Sequence, residues 1–398
     1  MLSSPGVAAA VVTALEDVFQ ALGFESCERR EVPVQGFLEE LAWFQEQLDA
    51  HGRPVGGQLR QPQQLVRELS GCRALRGCPK VFLLLSSGPG SSLEPGAFLA
   101  GLRELCGRSP HWSLVQLLTK LFRRVAEESA GGTCCPVLRS SLRGALCLGG
   151  VEPWRPEPAP GPSTQYDLSK ARAALLLAVI QGRPGAQHDV EALGGLCWAL
   201  GFETTVRTDP TAQAFQEELA QFREQLDTCR GPVSCALVAL MAHGGPRGQL
   251  LGADGQEVQP EALMQELSRC QVLQGRPKIF LLQACRGGNR DAGVGPTALP
   301  WYWSWLRAPP SVPSHADVLQ IYAEAQGYVA YRDDKGSDFI QTLVEVLRAN
   351  PGRDLLELLT EVNRRVCEQE VLGPDCDELR KACLEIRSSL RRRLCLQA

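Results

Sequence analysis

Three short apolar runs stand out in the second half of the chain: Ala173 to Ile180, Ala236 to Ala242 and Lys278 to Leu282, each bounded by turn-forming residues. Runs of this length, apolar rather than alternating, predict strands buried on both faces, as in a parallel sheet. Between and after them apolar positions recur at helical spacing. Helices are predicted over 191–200, 212–228 and 260–270, where Phe215, Leu219, Phe222 and Leu226 make one apolar stripe. Further on, 327–331 reads as a strand, and 339–348 and 354–367 as helices. Strands alternating with helices predict an α/β fold, a mostly parallel sheet flanked by helices. In such sheets reactive groups gather at the carboxyl ends of the strands.

The pattern also repeats. Ala21-Leu-Gly-Phe-Glu25 returns as Ala199-Leu-Gly-Phe-Glu203, and residues 36–49 match 214–227 at the same offset of 178. Gly77 to Leu84 matches Gly275 to Leu282 at an offset of 198. Leu117-Leu-Thr119 and Arg123-Arg-Val125 match Leu358-Leu-Thr360 and Arg364-Arg-Val366 at 241, and Arg139 to Arg143 matches Arg387 to Arg391 at 248. The order is kept and the offset only grows, so one domain is duplicated and the first copy has lost pieces. About 20 residues are missing before Lys80, 43 between Gly90 and Phe98, and seven near the end. The expected organisation is a degenerate, truncated first copy over 1–150, a Pro-rich linker over 151–165, and a complete copy over 166–398.

Composition narrows the function. The chain has 398 residues, 44% hydrophobic and 22% charged, with a formal net charge of -4, so it is globular and carries no basic excess for nucleic acid. Its apolar runs fall well short of the ~20 residues of a membrane-spanning helix. The start has no basic segment ahead of its apolar stretch, so no secretory leader is expected and a cytoplasmic location is. Sixteen cysteines show no C-x-x-C spacing beside only five histidines, which argues against structural zinc and for free, mostly buried thiols.

Two of the predicted strands end in chemistry. The run to Ala242 continues as His243-Gly244-Gly245, and the run to Leu282 as Gln283-Ala-Cys285-Arg-Gly-Gly288. A Cys and a His at neighbouring strand ends suit a thiolate nucleophile and its general acid/base. A glycine after the His offers an unobstructed backbone N–H to a developing oxyanion, with the Cys285 amide as a second donor. Alone, either residue would read as ordinary core; together, each followed by glycine, they read as a site.

Gln283-Ala-Cys-Arg-Gly287, with a His 42 residues upstream, resembles the nucleophile signature of the caspase family. The resemblance runs from about Tyr166 to Gln397; 209–219, 327–332 and 336–343 are similar to the epidermal type of that family. It implies the caspase fold and a cysteine endopeptidase that cleaves proteins after Asp, in apoptosis or epithelial differentiation. His243, Cys285 and Gly244 would be catalytic, with no metal or cofactor. Arg183, Gln283 and Arg332 would hold the substrate Asp, guanidinium forks being matched to a carboxylate. Tyr331 would wall the pocket, and Ser337 would contact the substrate backbone. The resemblance further implies a zymogen, with a large subunit about 166–291, a linker about 292–315 and a small subunit about 316–398.

Two departures qualify this. The linker holds no Asp after Asp291 and carries Trp301-Tyr-Trp-Ser-Trp305, a hydrophobic plug or docking segment. Position 338 is Asp, which should alter preference upstream of the cut. In the first copy Ser87 stands for Cys285, Leu85 for Gln283, and the segments equivalent to His243 and Arg332 are missing; His51-Gly52 is a decoy turn. What that copy keeps is its last segment, Val137 to Leu148, the counterpart of Leu384 to Leu396, which in caspases lies at the dimer interface. The expected partners are therefore protein substrates and either a homodimer or an internal pseudo-dimer through the C-terminal strand. The rival expectation is a catalytically weak pseudo-caspase that binds and modulates other caspases.

Overall fold

The computed structural model describes residues 1–5, 7–33, 36–48, 69, 72–75, 77–85, 95–109, 111–128, 136–148, 164–229, 231–245, 249–284, 316–323, 332–333, 336–368, 371–372, 379–380 and 383–397. The chain forms two compact units. The first takes in Met1–Trp112 and the described residues from Leu146, and contains α1 (Ala9–Ala21), α2 (Phe37–Leu48) and α3 (Pro95–Arg108). Val12 and Val18 on α1, and Phe98, Leu99 and Leu102 on α3, are buried, and α1 packs against α3.

The second unit takes in Ser113–Ala145 together with the described residues from Thr164 onward. From the segment 113–145 come α4 (Leu114–Glu128) and β1 (Leu138–Ser140). There follow β2 (Ala171–Ala178), α5 (Ala186–Ala199), β3 (Phe202–Thr208), α6 (Ala212–Thr228) and β4 (Val233–Met241). A small sheet of β5 (His243–Gly244), β6 (Leu250–Leu251) and β7 (Glu257–Val258) leads into α7 (Pro260–Ser268) and β8 (Lys278–Gln283). Then come β9 (Val318–Tyr322), the pair β10 (Arg332–Asp333) and β11 (Gly336–Ser337), α8 (Asp338–Ala349) and α9 (Leu355–Glu368). Two short strands, β12 (Val371–Leu372) and β13 (Leu379–Arg380), precede β14 (Glu385–Ser388).

The main sheet runs β1-β14-β9-β8-β4-β2-β3. The five strands from β9 to β3 are parallel; β14 lies antiparallel to β9, and β1 antiparallel to β14. The mostly parallel sheet flanked by helices that the sequence leads one to expect is therefore present. Strand β4 is buried at all nine positions because helices cover both its faces. Cys235, Leu237, Ala239 and Met241 join one core with α5, α8 and α9, whereas Ala236, Val238 and Leu240 join the other with α6 and α7. This alternation is the two-residue period of a strand read on both sides.

The predicted strands over 173–180, 236–242 and 278–282 appear within a few residues of those bounds, and α6 spans 212–228 as expected. Strands β3 and β9 carry no clear signal. β3 is an edge strand whose Thr, Arg and Glu face solvent, and β9 is five residues whose Gln320 is buried despite its polarity. The predicted strand at 327–331, the Trp301–Trp305 segment and His51 lie outside the described residues. The twelve described cysteines form no disulfide with one another, and six of them are buried. No described helix is long and apolar enough to cross a membrane.

Candidate active site

The sheet reverses its winding between β2 and β4: from β2 the chain goes outward to β3, then returns to build β4, β8 and β9 on the other side. The carboxyl ends of strands flanking such a reversal form the crevice where doubly wound sheets bind ligands. Arg183, His243 and Gln283 all stand there.

The loop after β2 is fixed from below. Asp209, itself at φ 52°, accepts the backbone N–H groups of Ile180 (2.8 Å) and Gln181 (2.9 Å) on Oδ1. Gly182, at φ 68°, then turns the chain into Arg183; only glycine takes that conformation freely. The Arg183 guanidinium donates through Nη1 to the Val179 carbonyl (2.6 Å) and through Nη2 to the Gln283 carbonyl (3.5 Å). It thus reaches over the end of β4 to the end of β8. A side chain at 182 would begin 3.9 Å from His243 Nε2, which puts the imidazole against this same turn.

His243 opens β5, facing Leu251 of β6, with Gly244 facing Leu250; its side chain is exposed. Gln283 closes β8 opposite Met241 of β4 and is 2% exposed. Its carbonyl accepts the N–H of Ala242 (3.1 Å), so the two strand ends are pinned together. Because Gln283 faces Met241, positions 243 and 285 each lie two residues beyond paired neighbours. The Gln283 Oε1 is buried and has no hydrogen-bond partner among the described residues. An unmatched buried polar atom costs about 1–3 kcal/mol, a cost usually retained where a ligand uses the group.

On another flank, Arg332 of β10 pairs with Ser337 of β11, and Asp333 with Gly336. The backbone of Arg332 is thereby placed, while its side chain, like Cys285 and Tyr331 as whole residues, lies outside the described residues. Ser337 is fully buried; its hydroxyl accepts the N–H of Ile340 (3.3 Å) and caps α8, so the hydroxyl is not turned to the crevice. Asp189, fully buried on the first turn of α5, accepts the Ser337 N–H at 2.8 Å. Asp189 and Asp209 are the site-building residues that the sequence reading did not single out. Asp189 passes for a favourable acid near a helix start, and Asp209 for a loop residue, until their partners are seen.

The structure thus brings Arg183, His243, Gly244 and Gln283 to one crevice and sets the Arg332 and Ser337 backbones on a hairpin tied to α5. Comparison with known proteins bears on the family and the fold. The caspase domain matches residues 171–394. Caspase-14 of Homo sapiens is 45% identical over 236 residues, covering 58% of this chain and 96% of that protein. Caspase-14 of Mus musculus is 40% identical over 255 residues, covering 61% and 98%. The crystal structure of Caspase-1 from Spodoptera frugiperda superposes with a TM-score of 0.50 at 27% identity, covering 61% of this chain and 98% of that one. A domain match over more than half the chain means that this chain belongs to the caspase family of cysteine peptidases.

Proposed function

We propose that the chain is a cysteine endopeptidase that cuts proteins after Asp. The observation that carries this reading is Arg183 bridging the end of β2 to the Gln283 carbonyl beside His243, a fixed cation next to a buried side-chain amide. On this reading the Cys285 thiolate attacks the scissile carbonyl carbon and a tetrahedral oxyanion forms. The Gly244 and Cys285 N–H groups stabilise it. His243 donates a proton to the departing amine, leaving a thioester, and then takes a proton from the water that hydrolyses it. Arg183 and Arg332 neutralise the substrate Asp carboxylate while the Gln283 amide donates to it, and Tyr331 lines the approach. None of these roles calls for a metal or organic cofactor. The setting is a reducing cytoplasm, in apoptosis or epithelial differentiation, with the chain acting as a zymogen and pairing through its C-terminal strand. One feature favours a second reading, a weak caspase that binds and modulates other caspases: no Asp lies between 292 and 315 for self-processing.

The test uses the full chain, wild type and Cys285→Ala, on peptides differing only in Asp, Glu or Asn at the cut position. Asp-selective cleavage that disappears in the variant is expected. Absence of cleavage, even after the 292–315 segment has been cut by an added protease, would refute the protease reading and leave the second.

A further inference from the structure

The repeat and the sheet register meet at one point. Arg139 and Arg387 are equivalent positions in the repeat, and they face each other across β1 and β14. The flanking pairs are Leu138 with Ser388 and Ser140 with Ile386. Replacing each residue by its equivalent turns one of these pairs into the other. That is the mark of a two-fold axis through the arginine pair, an isologous contact made within one chain. A second contact obeys the same axis: α4 and α9 are repeat equivalents at an offset of 241, and Gln116 Nε2 donates to its own equivalent, Glu357, at 2.6 Å.

We propose that the segment 113–145, through β1, occupies in cis the edge of β14 on which a second copy of this chain would otherwise pair, and so keeps the full chain monomeric. This specifies the pairing part of the reading above and does not depend on the cleavage chemistry. The charges on the face argue for a second copy as the competing partner. The Glu385 carboxylate, 6% exposed, is held between Arg139 and Arg387, and the Arg387 guanidinium stacks 4.5 Å over the Tyr322 ring. In a symmetric pair of β14 strands the other copy's guanidinium would take the place of Arg139, giving two arginines and two glutamates. In cis the position equivalent to Glu385 is Val137, so two arginines share one glutamate. The cis segment is therefore the electrostatically poorer occupant, and it prevails through tethering: covalent connection within one chain gives an effective concentration on the order of millimolar. Asn363 adds a fastening, donating Nδ2 to the carbonyls of Ser141 and Leu142, each at 3.0 Å. With three residues, β1 also ends the sheet on a strand too short to recruit another.

The test is sedimentation of the full chain as wild type, Arg139→Glu and Arg139→Glu/Glu385→Arg, with amide exchange at 138–140. The wild type is expected to stay monomeric from about 1 to 100 µM, well below that tethered concentration, with the 138–140 amides protected. Arg139→Glu is expected to form a concentration-dependent dimer. The double variant is expected to return to monomer. Its charges attract in cis, whereas a symmetric pair would crowd four guanidiniums together. A dimeric wild type, or a monomer whose 138–140 amides exchange freely, would overturn the proposal. So would Arg139→Glu releasing those amides without dimerising.

Discussion

The hairpin that carries Arg332 rests on one close approach, and that approach can be measured. Gly336 sits at φ 116°, and a Cβ there would stand 2.6 Å from Asp189 Oδ1 and 2.8 Å from Gln341 Nε2. Gly336→Ala therefore meets two penalties. Holding a non-glycine residue in that backbone region costs about 1–3 kcal/mol. Overpacking against Asp189 costs about as much again, roughly 1–3 kcal/mol. Asp189→Ala removes the acceptor of the buried Ser337 N–H, at about 1–3 kcal/mol. In the double variant the overpacking is largely relieved while the backbone strain and the lost hydrogen bond remain. Urea unfolding of the four proteins should thus show the double variant less destabilised than the sum of the singles, by about 1–3 kcal/mol. Both single variants should also raise KM for Asp-containing peptides more than they lower kcat, since they displace the hairpin rather than His243. Additivity to within about 0.5 kcal/mol would show that the two side chains do not meet, and would refute the reasoning.

Other outcomes follow from the same structure. Burial is the main influence that pushes the Asp354 carboxyl from its ordinary 3.8 up to about 6. The folded state then holds the proton more tightly than the unfolded state, so the contribution of Asp354 to stability is highest below about pH 4, falls as pH rises to about 6 and is level above. The span is about 3 kcal/mol at 1.4 kcal/mol per unit. Asp354→Asn removes that slope, so its stability relative to wild type should rise with pH across this window; a constant difference from pH 4 to 7 would contradict the assignment. Gly252→Ala drives a Cβ into the backbone nitrogen of Ala212 and to within 2.7 Å of the Thr211 carbonyl carbon, backbone that cannot step aside. A loss of about 3 kcal/mol or more in chemical denaturation is expected, and a loss under 1 kcal/mol would contradict the close approach. Arg183→Lys keeps the charge but not the fork that spans from Val179 to Gln283, so kcat/KM for Asp peptides should drop at least about tenfold, or 1.4 kcal/mol; unchanged kinetics would remove Arg183 from the site.

Much of this was legible because the signals were covalently local. Buried parallel strands announce themselves as continuous apolar runs, so β2, β4 and β8 could be read directly, and with them the strand ends that carry His243 and Gln283. The helices α6, α8 and α9 show their apolar stripes because one face of each meets the sheet. What escaped depended on partners distant in sequence. Strand β9 contains Gln320, which is buried only once Phe280 of β8 and Arg387 of β14 assemble on its two sides. Edge strand β3 alternates too weakly to be told from a loop. Asp189 acquires its role only through Ser337, 148 residues away, and Asp209 only through Ile180 and Gln181. The hydroxyl of Ser337 illustrates the converse: its place beside the site suggests a substrate contact, yet the start of α8 engages it as a cap.

The edge and the crevice belong to one sheet, which raises the question whether events at β1 reach the site. The register gives a direct line: Arg139 faces Arg387, Glu385 faces Tyr322, and Tyr322 faces Leu282, the residue before Gln283. Adjacency alone is not coupling, which requires an element with two discrete arrangements. Strand β9, the link in this line, is buried at all five positions, and its two neighbours bond it on both sides. It has no room for a second arrangement without breaking a ladder. Three strand spacings also separate β1 from β8, about 14 Å at 4.8 Å each, beyond the roughly 7–10 Å over which substitutions interact. Changes at Arg139 and at Arg183 should therefore act additively. On the proposed reading the edge would then set how many chains assemble, and the crevice what they cut.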